Sequence, residues 1–128
     1  MTYRGVGSQG WATIGGMRHY YRSKWERNYA RYLAHLVKLD KIKSFKPEPH
    51  CFWFENIRRG VRSYKPDFKV IKNDDEHFWV EVKGHMDSKS MTKIKRMAKY
   101  YPEEKLIIVD ETWFKKNKTL AQKVPGWE

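Results

Sequence analysis

Apolar side chains recur at the spacing of one helical face in residues 23–39, SKWERNYARYLAHLVKL. Ser23 and Glu26 match the S-x-x-E capping box found at the start of helices. The same glutamate lies at the beginning of the inward face, so the pattern predicts a carboxylate that packs toward the core. The rest of that face and its flank comprise Ala30, Leu33, Val37, Tyr29 and Leu36.

A second helical pattern begins at Asp87, in the segment DSKSMTKIKRMAKYY. Asp87 or Ser88 is expected to cap this helix, and Pro102 is expected to end it. Lysines and one arginine cover most of its surface, so the pattern predicts a basic helix with a narrow apolar stripe. The predicted stripe consists of Met91, Ile94, Met97, Ala98 and Tyr101.

Alternating and continuous apolar runs predict the strands. Two prolines, Pro47 and Pro49, separate the first two strands, and a hairpin turns across KNDDEH. The run KLIIVD is typical of a strand buried on both faces. The predicted strands are residues 43–46, 51–55, 64–71, 78–83 and 105–110. The order α-β-β-β-α-β favours an α/β (α+β) fold with a central mixed sheet of about four to five strands flanked by helices.

Glycine and apolar content divide the chain into three predicted parts. Residues 1–21 hold five of the eight glycines and little apolar periodicity, which favours a flexible arm. Residues 22–110 are predicted to form the core domain, and residues 111–128 a basic and aromatic tail. The stretch GVGSQG at residues 5–10 matches the dinucleotide fingerprint, but no strand precedes it and no helix clearly follows. We therefore expect no nucleotide cofactor.

Charge narrows the choice of partner. The 128 residues fit one domain, and 27 Lys and Arg against 15 Asp and Glu give a net charge of +12. Such an excess indicates a polyanionic partner, usually nucleic acid. No run of eighteen apolar residues and no signal-peptide pattern occur, and Cys51 is the only cysteine, so no intrachain disulfide can form. We expect a cytoplasmic protein without a membrane partner.

The stretch YKPDFKVIKNDDEHFWVEVKG, residues 64–84, places carboxylates inside strand-like runs. Since side chains alternate along a strand, Glu81 and Lys83 share one face of the second strand. Asp67 opens the partner strand and can reach Glu81. Buried carboxylates are costly unless they are paired or bind a metal. Oxygen ligands of this kind suit Mg2+ or Mn2+, and the lysine can orient a water or neutralise developing charge.

Residues 66–67, PD, followed by residues 81–83, EVK, resemble the motif of the PD-(D/E)xK nuclease superfamily. The order Glu26, Asp67, Glu81, Lys83 looks most like small phage junction-resolving endonucleases, over roughly residues 22–110. The resemblance implies a restriction-endonuclease-like core and a Mg2+-dependent DNA endonuclease, with Mn2+ able to substitute. It also implies the following roles: Asp67, Glu81, Glu26 and the carbonyl of Val82 as metal ligands, and Lys83 as the residue that assists the nucleophile.

Two basic groups are candidates for DNA binding. Arginines flank Gly60 in the turn before the Asp67 strand, where they can clamp phosphates. The basic face of the second helix follows the EVK motif directly. The candidates are Arg58, Arg59, Arg62, Lys89, Lys93, Arg96 and Lys99. The tryptophans Trp11, Trp25, Trp53 and Trp79 are predicted to be core or partly buried residues rather than base-stacking platforms.

A small chain without a separate recognition domain suits DNA shape better than DNA sequence, which favours branched DNA such as Holliday junctions. Symmetric cleavage of a junction needs two active sites, so we expect a homodimer. One alternative is a transposon-end or single-strand trimming nuclease of the same superfamily. Another is a non-catalytic basic nucleic-acid-binding protein, in which Glu26 only caps its helix, Asp67 only forms a turn and Glu81 only pairs with Lys83.

Overall fold

The computed structural model describes residues 9–128. The strands are β1 (Gly10–Ile14), β2 (Met17–Tyr21), β3 (Ser44–Pro47), β4 (Phe52–Trp53), β5 (Ser63–Tyr64), β6 (Phe68–Ile71), β7 (His77–Val82) and β8 (Leu106–Val109). The helices are α1 (Lys24–Lys38), α2 (Ser88–Tyr100), α3 (Glu111–Lys116) and α4 (Leu120–Lys123). Of the helices in this part of the chain, none has the length and hydropathy to cross a bilayer.

The central sheet has four strands in the order β3-β6-β7-β8. Strands β3, β6 and β7 pair antiparallel, whereas β8 runs parallel to β7. The predicted mixed α/β architecture with a mixed sheet is therefore confirmed. Two further sheets have two strands each. The β4-β5 sheet overlaps the predicted strands 51–55 and 64–71, whereas the β1-β2 sheet was not predicted.

Each face of the central sheet carries an apolar cluster. Phe78, Val80 and Val82 of β7 contact the larger cluster, which includes the inward face of α1. Trp79 belongs to the second cluster, which includes Met97 of α2 and residues of β4 and β5. The predicted alternation along β7 is confirmed, and it leaves Glu81 on the face that carries Trp79.

Helix α1 begins as the capping pattern predicts. The hydroxyl of Ser23 accepts a hydrogen bond from the backbone N–H of Glu26 at 3.1 Å. The carboxylate of Glu26 accepts from the backbone N–H of Arg22 at 3.1 Å, one residue before the donor that a capping box would use. Ala30 and Leu33 are fully buried behind it, so Glu26 does begin the core-facing side of the helix.

Helix α2 begins with Asp87 as its N-cap, since the carboxylate of that residue accepts from the N–H of Ser90 at 2.8 Å. Its inward stripe differs from the predicted one. Ser90 and Met97 are its buried residues, whereas Met91 is 48% exposed and Ala98 is also exposed. Met97 of the predicted stripe does pack with residues of β4 and β5, whereas Met91 and Ala98 of the same stripe face solvent.

The predicted strand 64–71 is interrupted. Tyr64 ends β5, which pairs with β4, and Phe68 begins β6, which pairs with β3 and β7. Pro66 lies between them and has no N–H to donate to a ladder. The carbonyl of Asp67 accepts instead from the N–H of Glu48 at 2.8 Å. The break directs Tyr64 and Asp67 toward the same end of β7.

Both ends of the described chain differ from the prediction. Residues 10–21, expected to belong to a flexible arm, form the β1-β2 hairpin, and Ile14 and Tyr21 are buried in the larger cluster. The predicted tail 111–128 contains α3 and α4, and Trp113 and Phe114 pack against the same cluster. The arm prediction for residues 1–8, with most of the GVGSQG stretch, lies outside the described residues.

Candidate metal and nucleic-acid site

Asp67 is held at the start of β6 with its side chain buried, 6% exposed. Its carboxylate Oδ2 accepts from the backbone N–H of Val82 at 2.8 Å. The register that pairs Phe68 with Val80 brings Asp67 opposite Glu81 when it is extended by one residue. The sequence-based expectation that the hairpin brings these two carboxylates together is confirmed.

Glu81 is buried on β7 and its two carboxylate oxygens have different partners. The hydroxyl of Tyr64 donates to Oε1 at 2.6 Å, and the ammonium of Lys83 lies 3.3 Å from Oε2. Lys83 is one-quarter exposed, so its ammonium lies between the buried carboxylate and solvent. The arrangement fixes Glu81 firmly and leaves one cation beside it.

Glu26 reaches the same region from α1. Burial raises its pKa to about 7, with a smaller contribution from the repulsion of Glu81 and Glu48 and against the opposing hydrogen bond and charge of Arg22. Burial also raises the pKa of Asp67 well above its usual range, and the negative charges of Glu81 and Glu26 act in the same direction. The three predicted carboxylates are therefore close enough to oppose one another's ionisation.

Glu48 and Tyr64 belong to the site, although the sequence pattern did not indicate them. Besides donating its N–H to Asp67, Glu48 lies 3.2 Å from the ring of His19 and 3.6 Å from the guanidinium of Arg22. Its φ of 42° is unusual for a residue with a side chain, and such backbone strain is frequent at functional sites. The one available signal was an acid between two prolines, KPEPH.

Within residues 9–128, no three His, Cys, Asp or Glu side chains form a group ready to hold a metal ion. The donor chemistry does fit Mg2+, which takes carboxylate oxygens. The buried hydroxyl of Tyr21 has no hydrogen-bond partner in this part of the chain. Burial, together with the charge of Glu26, raises the pKa of Tyr21 to about 12. Each carboxylate oxygen of Glu81 has one contact, with Tyr64 or with Lys83, and keeps a second lone pair that could bind a metal.

A basic cleft of about 810 Å³ lies between α2 and the segment that precedes β5. Lys93 connects it to the carboxylates, because its ammonium lies 5.8 Å from the ring centre of Tyr64, the residue that holds Glu81. Four predicted DNA-binding residues line this cleft: Arg62, Lys89, Lys93 and Arg96. The guanidinium of Arg96 also donates to the carbonyl of Val61.

The other three candidates for DNA binding are exposed but do not line the cleft. Arg58 and Arg59 lie in the preceding turn, and the ammonium of Lys99 is 5.4 Å from the ring centre of Tyr100. The tryptophan prediction was half wrong. Trp25 and Trp79 are buried, whereas Trp11 and Trp53 are each 60% exposed.

The chain was compared with protein-family models, curated proteins and solved structures, and no match was found. Its function is therefore inferred from the positions of these side chains and from the resemblance of the motif. The most informative feature is the buried pair Asp67 and Glu81, which Tyr64 and Lys93 connect to a cleft lined with cations.

Proposed function

We propose that this protein is a metal-dependent DNA endonuclease that acts in the cytoplasm. The observation that carries the proposal is the buried carboxylate pair Asp67 and Glu81, with Lys83 beside it. A basic cleft is linked to the pair through Lys93 and Tyr64. A carboxylate pair without catalytic use would be a costly feature in a core of this size. The resemblance to the PD-(D/E)xK motif supports the same activity.

Asp67, Glu81, Glu26 and the carbonyl of Val82 would hold Mg2+, or Mn2+ in its place. The chemistry supplied there is Lewis-acid polarisation of a phosphate and activation of water. In the hydrolysis, the water oxygen bonds to phosphorus and one P–O ester bond breaks, which leaves a phosphate monoester and a free hydroxyl. Each product end is therefore defined and can be identified on a gel.

The protein's own side chains position the DNA strand and the attacking water, and they neutralise negative charge. Lys83 lies where it can orient the attacking water or balance negative charge that develops on the phosphate. The Tyr64 hydroxyl fixes the orientation of Glu81. Arg62, Lys89 and Lys93 face the cleft, where they can bind backbone phosphates and set the position of the strand.

For the substrate, we propose branched DNA such as a four-way junction, cleaved by a homodimer. Phosphate contacts carry no sequence information, and the described residues include no recognition helix dedicated to base edges. Converging arms offer more phosphates to two basic clefts than one duplex does. A dimer would supply the two sites that paired cleavage needs.

The test is a cleavage panel of junction, fork, flap, linear duplex and single strand, with Mg2+ and with EDTA, alongside measurement of the protein's mass in solution. Mg2+-dependent cuts with defined ends are expected, strongest and paired on the junction. Cleavage confined to single strands or transposon-like ends would favour the trimming nuclease. Tight binding without cleavage of any DNA would favour the non-catalytic binding protein.

A further inference from the structure

Trp53 is an exposed aromatic ring on the wall of a cationic cleft. It lies on β4, is 60% exposed, and lines the cleft together with Arg62 and Lys93. Single exposed tryptophans are not unusual by themselves. This one differs because the described lining holds four cationic side chains and no carboxylate.

The backbone that carries this ring is fixed on both sides. Trp53 pairs with Ser63 across the β4-β5 sheet, and its carbonyl accepts from the hydroxyl of Tyr101 at 2.6 Å. Its neighbours Phe52 and Phe54 are buried, and Phe52 packs against Trp79 with 4.9 Å between ring centres. The two phenylalanines anchor β4 while the indole between them faces outward, so the backbone at Trp53 is held in place and its ring stays uncovered.

A fixed aromatic face beside several cations is the arrangement that binds single-stranded nucleic acid, in which bases stack and phosphates form ion pairs. Paired bases in an uninterrupted duplex have both faces occupied by their neighbours, so they cannot stack on a side chain without being unpaired or flipped. We therefore expect the cleft to bind single-stranded DNA in preference to uninterrupted duplex. The cleft is connected to the carboxylates through Lys93, whose ammonium lies 5.8 Å from the ring centre of Tyr64, and through the hydrogen bond from Tyr64 to Glu81.

We propose that the cleft binds an unpaired deoxynucleotide whose base stacks on Trp53 and whose flanking phosphates contact Arg62, Lys89 and Lys93. The proposed binding of an unpaired base does not depend on the endonuclease function. Its consequence for the substrate rests on the proposed endonuclease function: the preferred DNA has unpaired nucleotides next to the scissile phosphate, as branch points and flaps do.

The test measures binding of the full chain to a fluorescein-labelled oligodeoxythymidylate and to a hairpin duplex, in EDTA. Trp53→Ala is expected to weaken oligodeoxythymidylate binding about tenfold, the size of a lost stacking contact, and to change duplex binding by less than about twofold. Trp53→Phe, which keeps an aromatic face, is expected to recover most of the loss. Thermal unfolding of each variant checks that the fold is retained.

Trp11→Ala is the matched control. Trp11 is equally exposed and also lies near a cation, since the guanidinium of Arg18 is 4.9 Å from its ring centre, but it lies outside the cleft. Its substitution is expected to leave both affinities unchanged. Equal effects of Trp11→Ala and Trp53→Ala, an equal loss on duplex, or no recovery with phenylalanine would overturn the proposal.

A cleavage assay in Mg2+, run beside the binding measurement and with Glu81→Gln as the variant expected not to cleave, separates the two proposals. A chain that never cleaves DNA yet shows Trp53-dependent binding to single strands retains this inference and loses the endonuclease. A chain that cleaves with Mg2+ but binds single strands equally well with alanine at position 53 retains the endonuclease and loses this inference. No measurable binding to the oligodeoxythymidylate would also contradict it and would favour a protein partner for the ring.

Discussion

Asp67 is the most constrained residue of the site. It is almost fully buried, accepts one hydrogen bond from the backbone of Val82, and faces the negative charges of Glu81 and Glu26. Such a carboxylate opposes folding in the absence of a cation, because its desolvation and its repulsion are only partly offset. Groups kept for function frequently reduce stability in this way.

Asp67→Asn is therefore expected to stabilise the protein by about 1 kcal/mol at neutral pH in EDTA. The amide carries no charge to desolvate, and its oxygen can still accept from Val82. Asp67→Ala, which removes that acceptor and leaves a buried N–H unsatisfied, is expected to destabilise instead. Urea denaturation of the three chains measures both effects, and a less stable Asp67→Asn would show that the carboxylate contributes to folding.

The hairpin β1-β2 is the clearest case of an element that was not predicted, although its turn residues and alternating strands are present in the sequence. Gly15 and Gly16 have φ values of 61° and 78°, the left-handed conformation that tight hairpin turns use, and they connect two alternating strands. The five glycines within residues 1–21 favoured a flexible arm instead. The six-residue helix α3 was missed for another reason, since so short a segment shows little periodicity.

Substitution of the two glycines by alanine separates backbone strain from packing. A Cβ on Gly16 would meet no atom within 4 Å. Gly16→Ala is therefore expected to lower the free energy of unfolding by about 1 kcal/mol, through the strain of a positive φ alone. A Cβ on Gly15 would lie 3.2 Å from the buried ring of Phe45. Gly15→Ala is therefore expected to lower the free energy of unfolding further. An equal or smaller loss than Gly16→Ala in urea denaturation would contradict the packing of the hairpin against β3.

At the scale of the whole molecule, the net charge of +12 is distributed unevenly. Glu26, Glu48 and Glu81 lie near Asp67 at one end of the sheet, whereas the cleft lining is cationic. A contact between distant parts of the sequence also closes the fold: the carboxylate of Glu128 accepts from Arg27 and Arg31 of α1, and Asn28 accepts from the N–H of Glu128.

That contact predicts a specific pH dependence. The hydrogen bond from Arg27, with that from Arg31, lowers the pKa of Glu128 from 4.5 to about 2. Since the folded pKa is the lower one, the stabilisation is complete above pH 4.5 and is lost as the pH falls toward 2. We expect Glu128→Gln to cost about 1 kcal/mol at pH 7, allowing for partial exposure, and to show less difference from wild type at pH 2.5. A difference that is constant with pH, measured by urea denaturation, would refute the ion pair.

The cleft predicts which cations govern the salt dependence of DNA binding. If about six phosphates are neutralised, the slope of log affinity against log salt should approach −5 on duplex arms. Joint replacement of Arg62, Lys89 and Lys93 by glutamine is expected to flatten that slope. The same charge change at Arg58, Arg59 and Lys99, which do not line the cleft, serves as the control and is expected to have a smaller effect. Equal slopes for both triple variants would move the DNA-binding face elsewhere.

The candidate site was predictable where it depends on strand alternation and hairpin register. Those rules place Glu81 and Lys83 on one face and bring Asp67 opposite. Tyr64 and Glu48 were not predictable, because the break at Pro66 and the left-handed backbone of Glu48 decide their positions. Trp53 was misjudged although Phe52 and Phe54 bracket it in an alternating pattern, which the tryptophan's hydrophobicity outweighed.

The most direct measurement is the single-turnover cleavage rate of Glu81→Gln on a junction in Mg2+, with DNA affinity measured in parallel. Glutamine keeps the size of the side chain and can still accept from Tyr64, but it loses the charge proposed to hold a metal. Glu76→Gln, at an exposed position in the turn between β6 and β7, is the control. We predict that Glu81→Gln loses at least about two orders of magnitude in rate while binding DNA as tightly or more tightly, and that Glu76→Gln matches wild type. Cleavage by Glu81→Gln near the wild-type rate would contradict the account.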